Sequence, residues 1–143
     1  MPEKETLERA RQDKREGKAP STQAGEFVRE EIEHIREGKH GARSTKQAIA
    51  IGLSKARRAG VELPPSESSS KETKEQAKRD LRKAGKKTKS SKRAQATRKA
   101  LKREGRTAAS KEALSRQARA AARKRSKASR SRSAKKAAAT RKK

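Results

Sequence analysis

GEFVREEIEHIREGKHGARSTKQAIAIGLSKARRAG, running from Gly25 to Gly60, is the stretch that decides the fold. Leu, Ile, Val and Phe number only 13 in the 143-residue chain, and nine of them fall between Phe27 and Leu63. Ala24, Val28, Ile32 and Ile35 recur at i, i+4, i+8 and i+11, the stripe of an amphipathic helix, with Phe27 on its flank. Glu26, Glu30, Glu31 and Glu33 take much of its remaining surface, and Glu30, Glu31, Glu33 and Glu37 read as a solvated face or a docking site for the basic tail rather than a catalytic dyad. Gly38 suits the position just past the helix end, where the backbone turns left-handed. Ser44 and Gln47 then form a capping box, and a second helix runs to Ala59 and stops at Gly60. Ala48, Ile49, Gly52, Leu53, Ala56 and Ala59 share one face of it. Most are small, so a neighbouring helix can come close. Ile51 lies opposite and periodicity does not place it. Two short helices joined by Gly38–Ser44 predict an antiparallel helix hairpin over about residues 22–60.

Around this hairpin the composition is poor in core-forming residues. Thirteen large apolar residues are about 9 % of the chain, well below the roughly 20 % under which highly charged chains stay disordered. Too little apolar surface is available to offset the entropy of ordering the backbone. The expected fold class is therefore all-α: the hairpin, some loosely packed or isolated basic helices, and a disordered basic C-terminal tail. Four segments follow: a charged helix and linker over 1–20, the hairpin over 21–65, basic helix-competent segments over 66–125, and a disordered tail over 126–143.

The N-terminal helix, residues 2–16, has Leu7 as its one large apolar residue and is expected to fray, with Gly17 ending it. Residues 18–22 form a linker that caps the next helix. Pro64, Pro65 and the serines of 66–70 end the hairpin. Lys71–Ala84, capped by Ser69 and ending at Gly85, Ser91–Glu104 ending at Gly105, and Ser110–Arg125 are the later helices. Each contributes one leucine (Leu81, Leu101, Leu114) and has little to pack against. The phrase Arg15-Glu16-Gly17-Lys18 recurs as Arg36-Glu37-Gly38-Lys39 and Arg103-Glu104-Gly105-Arg106, at intervals of 21 and 67 residues. That irregular spacing excludes a solenoid repeat and fits a reused helix stop and start.

Charge gives the strongest functional signal. The formal net charge is +27, but residues 1–80 carry only +3 of it, while residues 81–143 hold 26 basic and two acidic side chains. A flexible polycation of this kind repels itself and calls for a polyanionic partner. Nucleic acid fits best, because Lys and Arg neutralise phosphates and release counterions without reading sequence. The residues assigned to this contact are Lys39, Arg43, Lys46, Arg57, Arg58, Lys86, Lys87, Arg98, Lys102, Arg103, Arg116, Arg119, Arg123, Lys124, Arg125, Arg130 and Arg132. Of these, Lys39, Arg43 and Lys46 surround the start of the second hairpin helix, where unpaired amides and the helix dipole favour a phosphate clamp. One phenylalanine and no tyrosine or tryptophan argue against base stacking on single strands. A two-helix hairpin also lacks the third helix of a base-reading helix-turn-helix domain. Ser129, Ser131 and Ser133 sit among arginines, where phosphorylation would lower the tail's charge.

Other classes find no support in the residues. There is no cysteine, hence no disulfide framework or thiolate chemistry. His34 and His40 are the only histidines and lack a recognised metal-ligand spacing, so neither a metal nor any other cofactor is expected. No nucleophile–base pair or phosphate-cradling glycine loop is present, and the chain does not read as an enzyme. No apolar run approaches a membrane span, and Met1-Pro2-Glu3-Lys4-Glu5 is not a signal peptide. A soluble, cytoplasmic, nucleoid-associated protein without a membrane partner is the expectation.

The segment REGKHGARSTKQAIAIGLSKARRAG, Arg36 to Gly60, resembles a family of small, very basic bacterial proteins classed as a domain of unknown function. The likeness spans roughly residues 20–65, and Leu101–Arg106 and Ala113–Ala118 are similar to some members as well. It implies a bacterial cytoplasm and supplies no catalytic or binding residues. The tail is similar to linker histones and bacterial histone-like proteins in composition alone. Together these features predict a non-enzymatic, largely sequence-nonspecific, histone-like DNA-binding protein. An RNA-binding or ribosome-associated protein is the first alternative. The second is an adaptor that binds a protein partner, or another copy of itself, through the 24–60 hairpin and its 24–37 helix.

Overall fold

A computed structural model describes residues 2–65, 69–84 and 91–142. Among these the chain is all-α, as expected. Its helices are α1 (Lys4–Arg15), α2 (Pro20–Arg36), α3 (Thr45–Arg58), α4 (Lys71–Arg82), α5 (Ser91–Lys102), α6 (Lys111–Lys124) and α7 (Lys127–Arg141), with one 3-10 turn at Thr107–Ala109. They divide into a unit spanning Met1–Ser110 and a second spanning Lys111–Lys143. Lys86, Lys87, the expected stop at Gly85 and the serines of 66–68 lie outside the described residues.

The first unit is built on α2 and α3, whose pairing is set by size at one position. A Cβ added at Gly52 would stand 2.6 Å from the Val28 Cα, so only glycine lets the two backbones come this near. Phe27, Ala24, Ala56 and Val61 form the core with Ala10 of α1, and Leu7, Leu53 and Leu63 pack against its edge. Phe27 is thus central, while Val28 is half-buried at the close approach. The hairpin expectation holds in its essentials: Ser44 caps α3 by accepting from the Gln47 amide at 3.1 Å. Gln47 returns its side chain to the Arg43 amide rather than to Ser44. Gly38 takes φ +80°. Behind it the Lys39 amide donates to His34 O at 3.0 Å and the Gly38 amide to Ile35 O at 3.1 Å, a pair of bonds that closes the helix end.

Several elements depart from expectation. α1 is not a frayed appendage. It packs on α2 and buries Thr6, Ala10 and Asp13, and Arg9 Nε donates to Glu26 Oε2 at 2.7 Å. α2 begins at Pro20, in the first turn where a missing amide hydrogen costs nothing, with Ala19 rather than a hydroxyl residue as its cap. Glu30 and Glu31, expected on a solvated face, are buried, because α2 is enclosed on more than one side.

α4 is capped by Ser70, not Ser69, and packs on α3 through fully buried Ala77 and Asp80. Arg58 Nε reaches Asp80 Oδ1 at 3.1 Å.

The segment after α5 docks back on the hairpin through backbone groups. The Gly41 amide donates to Leu101 O at 2.8 Å and the Ala42 amide to Gly105 O at 3.0 Å. Thr45 Oγ1 donates to Ala108 O at 2.7 Å, and Arg36 Nε to Ala109 O at 3.0 Å. A Cβ at Gly41 would fall 2.0 Å from Glu104 O. None of these contacts needs a large apolar side chain, which is why hydrophobic periodicity does not register them.

In the second unit α6 and α7 bury no residue. Residues 127–141, expected to be disordered, are helical: Ala, Lys and Arg are strong helix formers, and Ser126 accepts from the Ser129 amide at 3.1 Å to cap them.

Substituting Gly52→Ala should destabilise the first unit by about 1–3 kcal/mol through overpacking, and Gly41→Ala should act likewise. Gly25→Ala, where an added Cβ meets nothing within 4 Å, should instead stabilise α2 by about 0.5–1 kcal/mol. Urea denaturation followed by circular dichroism reads all three.

Candidate nucleic-acid interface

The basic residues singled out from sequence separate into committed and exposed groups. Arg57 is buried and donates through Nε to Leu63 O at 2.9 Å. Burial holds its guanidinium below the ordinary arginine pKa, an effect Asp80 opposes. Arg57 is therefore a structural tie between α3 and the chain that follows, and it leaves the set of surface cations. Arg58 is likewise engaged, by Asp80 of α4. Arg58 itself stays exposed, with its Nε held by the buried Asp80 carboxylate.

The three residues proposed as a phosphate clamp differ in their surroundings. Lys39 pairs with Glu37 at 3.1 Å and with Glu3 at 3.5 Å, and Glu37 is the main reason its ammonium is held above the ordinary lysine pKa. Arg43 lies 3.9 Å from Glu104, and Lys46 is exposed on α3. Thr45, at the start of α3, is buried under the 107–109 turn.

A different convergence appears beside it. Gly38, Lys39, His40, Lys102, Glu104 and Arg106 line an open cleft of about 570 Å³. It brings Lys39 and Lys102 together, and it adds Arg106, absent from the residues chosen by sequence. The available signal was the repeated phrase: Gly38 and Lys39 of one copy and Glu104 and Arg106 of another line this cleft, and an added Gly38 Cβ would lie 3.3 Å from an Arg106 guanidinium nitrogen.

The remaining cations are exposed. Arg98, Lys102 and Arg103 lie on α5 and its end; Arg116, Arg119, Arg123, Lys124 and Arg125 on α6 and its end; Arg130 and Arg132 on α7. Arg116, Arg119 and Arg123 recur at i, i+3 and i+7 and so share one stripe of α6. Arg125 turns back to donate to Ser129 O at 3.1 Å and to the Ser129 hydroxyl. Residues 111–143 carry 14 basic side chains against one acidic, a net of +13.

Behind the cleft, the described residues hold a buried cluster of carboxylates and imidazoles. Glu30 Oε1 accepts from the Glu3 amide at 2.9 Å and lies 3.7 Å from His34 Nε2. His34 Nε2 donates to Glu3 Oε1 at 2.9 Å, the leading reason that carboxyl is held below the ordinary glutamate range. Glu31 pairs with Lys55 of α3, and His40 Nε2 stands 3.1 Å from Glu31 Oε2. The two imidazoles meet edge to face, their centroids 5.9 Å apart. Sequence reasoning named both histidines without joining them.

Residues 11–67 match a family of unknown function (DUF6496), so the resemblance to an uncharacterised family, expected from Arg36–Gly60, reaches back into α1. No curated protein and no solved structure matches the chain significantly. No helix among the described residues is long and apolar enough to cross a membrane.

Arg57→Ala should lower the denaturation midpoint, because Leu63 O loses its charged donor, at about 1.5–3 kcal/mol for a hydrogen bond of this kind. It should leave the salt dependence of any nucleic-acid binding unchanged. Paired urea and salt titrations separate the two effects.

Proposed function

We propose that the chain is a non-enzymatic, histone-like protein that binds duplex DNA largely without regard to sequence and associates with the nucleoid of a bacterial cytoplasm. The observation that carries this reading is the second unit, whose two helices bury no residue within a segment, 111–143, of net charge +13. Helices that bury no residue leave their basic side chains exposed to a polyanion. Helical order also fixes the spacing of the charges: the α6 stripe places Arg116, Arg119 and Arg123 along roughly 10 Å of axis at 1.5 Å per residue, on the scale over which a groove-lining backbone presents several phosphates. α5 and the cleft around Lys39, Lys102 and Arg106 extend the basic surface within the first unit.

RNA is the competing polyanion, and the same phosphate chemistry would serve it. Duplex DNA is preferred here because the chain has no aromatic platform for splayed bases. The adaptor alternative is less favoured, since Ala24, Ile32 and Ile35 of the α2 stripe are buried and Val28 is half-buried.

Fluorescence anisotropy with a labelled random-sequence duplex tests the proposal. Affinity should fall log-linearly with sodium chloride, with a slope near 0.9 per phosphate neutralised. The triple variant Arg116→Ala, Arg119→Ala, Arg123→Ala should flatten the slope by roughly two to three units without moving the urea midpoint of the first unit. A salt-independent affinity overturns the proposal. Stronger competition by structured RNA than by unlabelled duplex reassigns the partner to RNA.

A further inference from the structure

Buried carboxylates need a cation, and the cluster between α2 and the 39–42 segment is short of one. The Glu30 and Glu31 side chains are each about 1 % exposed, and they are adjacent in sequence. Lys55 is the only lysine paired with either among the described residues, and it serves Glu31. Lys39 approaches Glu3 and Glu37 instead. Glu30 Oε2 and Glu31 Oε2 are both buried without a hydrogen bond.

His40 sharpens the imbalance. Its Nδ1 lies 3.0 Å from Gly41 O, and a carbonyl only accepts, so Nδ1 carries the hydrogen. That leaves Nε2, 3.1 Å from Glu31 Oε2 at ion-pair distance but without a hydrogen bond. In the neutral imidazole, Nε2 is a lone pair facing a carboxylate lone pair. A positive charge on or beside Nε2, a second proton or a metal ion, removes that repulsion.

We propose that Glu31, His34 and His40 form a binding site for a divalent transition-metal ion of the zinc type. One donor atom from each lies within 4.8 Å of the others. At the bond lengths of about 2.0–2.2 Å usual for zinc, donors stand roughly 3.3–3.6 Å apart, a distance small side-chain rotations reach. Two imidazoles and one carboxylate suit a borderline ion better than calcium or magnesium. The bond from His40 Nδ1 to the Gly41 carbonyl is the outer contact that typically fixes a ligand's tautomer and leaves Nε2 to the metal. Gly41 is itself held by Leu101 O at the end of α5, so the site depends on the docking of that helix end. Glu3 and Glu30, which with His34 make a second triad of close donors, border the site on the other side. The ion would tie the end of α2, the 39–42 segment and, through Gly41, the chain beyond α5.

The test uses the full chain, freed of any affinity tag, with Zn²⁺ and Co²⁺ as probes. His34 and His40 are the only histidines, so imidazole carbon–proton spectra report the site directly. Both rings should shift with Zn²⁺ and broaden with Co²⁺, saturating together at one equivalent, with a rise in the thermal midpoint. His40→Gln, checked for fold by circular dichroism, should weaken binding at least tenfold. If that variant does not fold, the two wild-type imidazole titrations decide alone. Imidazoles that do not respond at one equivalent, or that respond singly, overturn the site. So does a folded His40→Gln that binds as the wild type does. Because the readout contains no nucleic acid, failure here leaves the DNA proposal standing, and the reverse.

Discussion

The close approach of α2 and α3 at Gly52 is the constraint on which the first unit rests. With 13 large apolar side chains in 143 residues, the protein cannot build a thick hydrophobic layer. It brings backbones together instead. Glycine at position 52 lets α3 lie against Val28, alanines fill the remaining space, and dispersion between closely spaced atoms replaces bulky side chains. Gly41 repeats the device, admitting the chain around Glu104 to the turn between the helices. Where apolar surface runs short, side-chain hydrogen bonds and buried ion pairs take over, as at Arg57, at Arg58 with Asp80, and at Glu31 with Lys55.

This economy explains what the sequence disclosed and what it hid. α2 and α3 were legible because Ile32, Ile35 and Phe27 supply a period, and because Gly38, Ser44, Gln47 and Gly60 punctuate it. The docking of α4 and of the 101–109 segment was not, since Ala77, Ala108 and Ala109 carry little hydrophobic signal and the Gly41 and Ala42 contacts are backbone to backbone. The burial of Glu30 and Glu31 was hidden for a related reason. A stripe analysis grants a helix one inner face, whereas α2 is enclosed by α1, α3 and the 107–109 turn. The helicity of residues 127–141 was masked by low complexity, although propensity and the Ser126 cap both favour it.

The candidate interface was legible in bulk and not in detail. Charge asymmetry located the polycation; it did not reveal that Arg57 is buried in the fold or that Arg58 pairs with Asp80. Nor did it place Arg106 beside Lys39 and Lys102, since 63 residues separate the two lysines. The buried cluster is subtler still, because His34 and His40 come together only once Gly38 has reversed the chain. A folded unit that consumes some of its own cations, followed by helices that consume almost none, would under the proposed function divide stability from binding along the chain.

That division is tested most directly by nitrogen–proton correlation spectra of the full chain titrated with duplex DNA. The account predicts amide shifts concentrated in residues 91–106 and 111–142, with the amides of Phe27, Gly52 and Ala56 unmoved. Shifts centred on α2 and α3, with α6 and α7 silent, would contradict it.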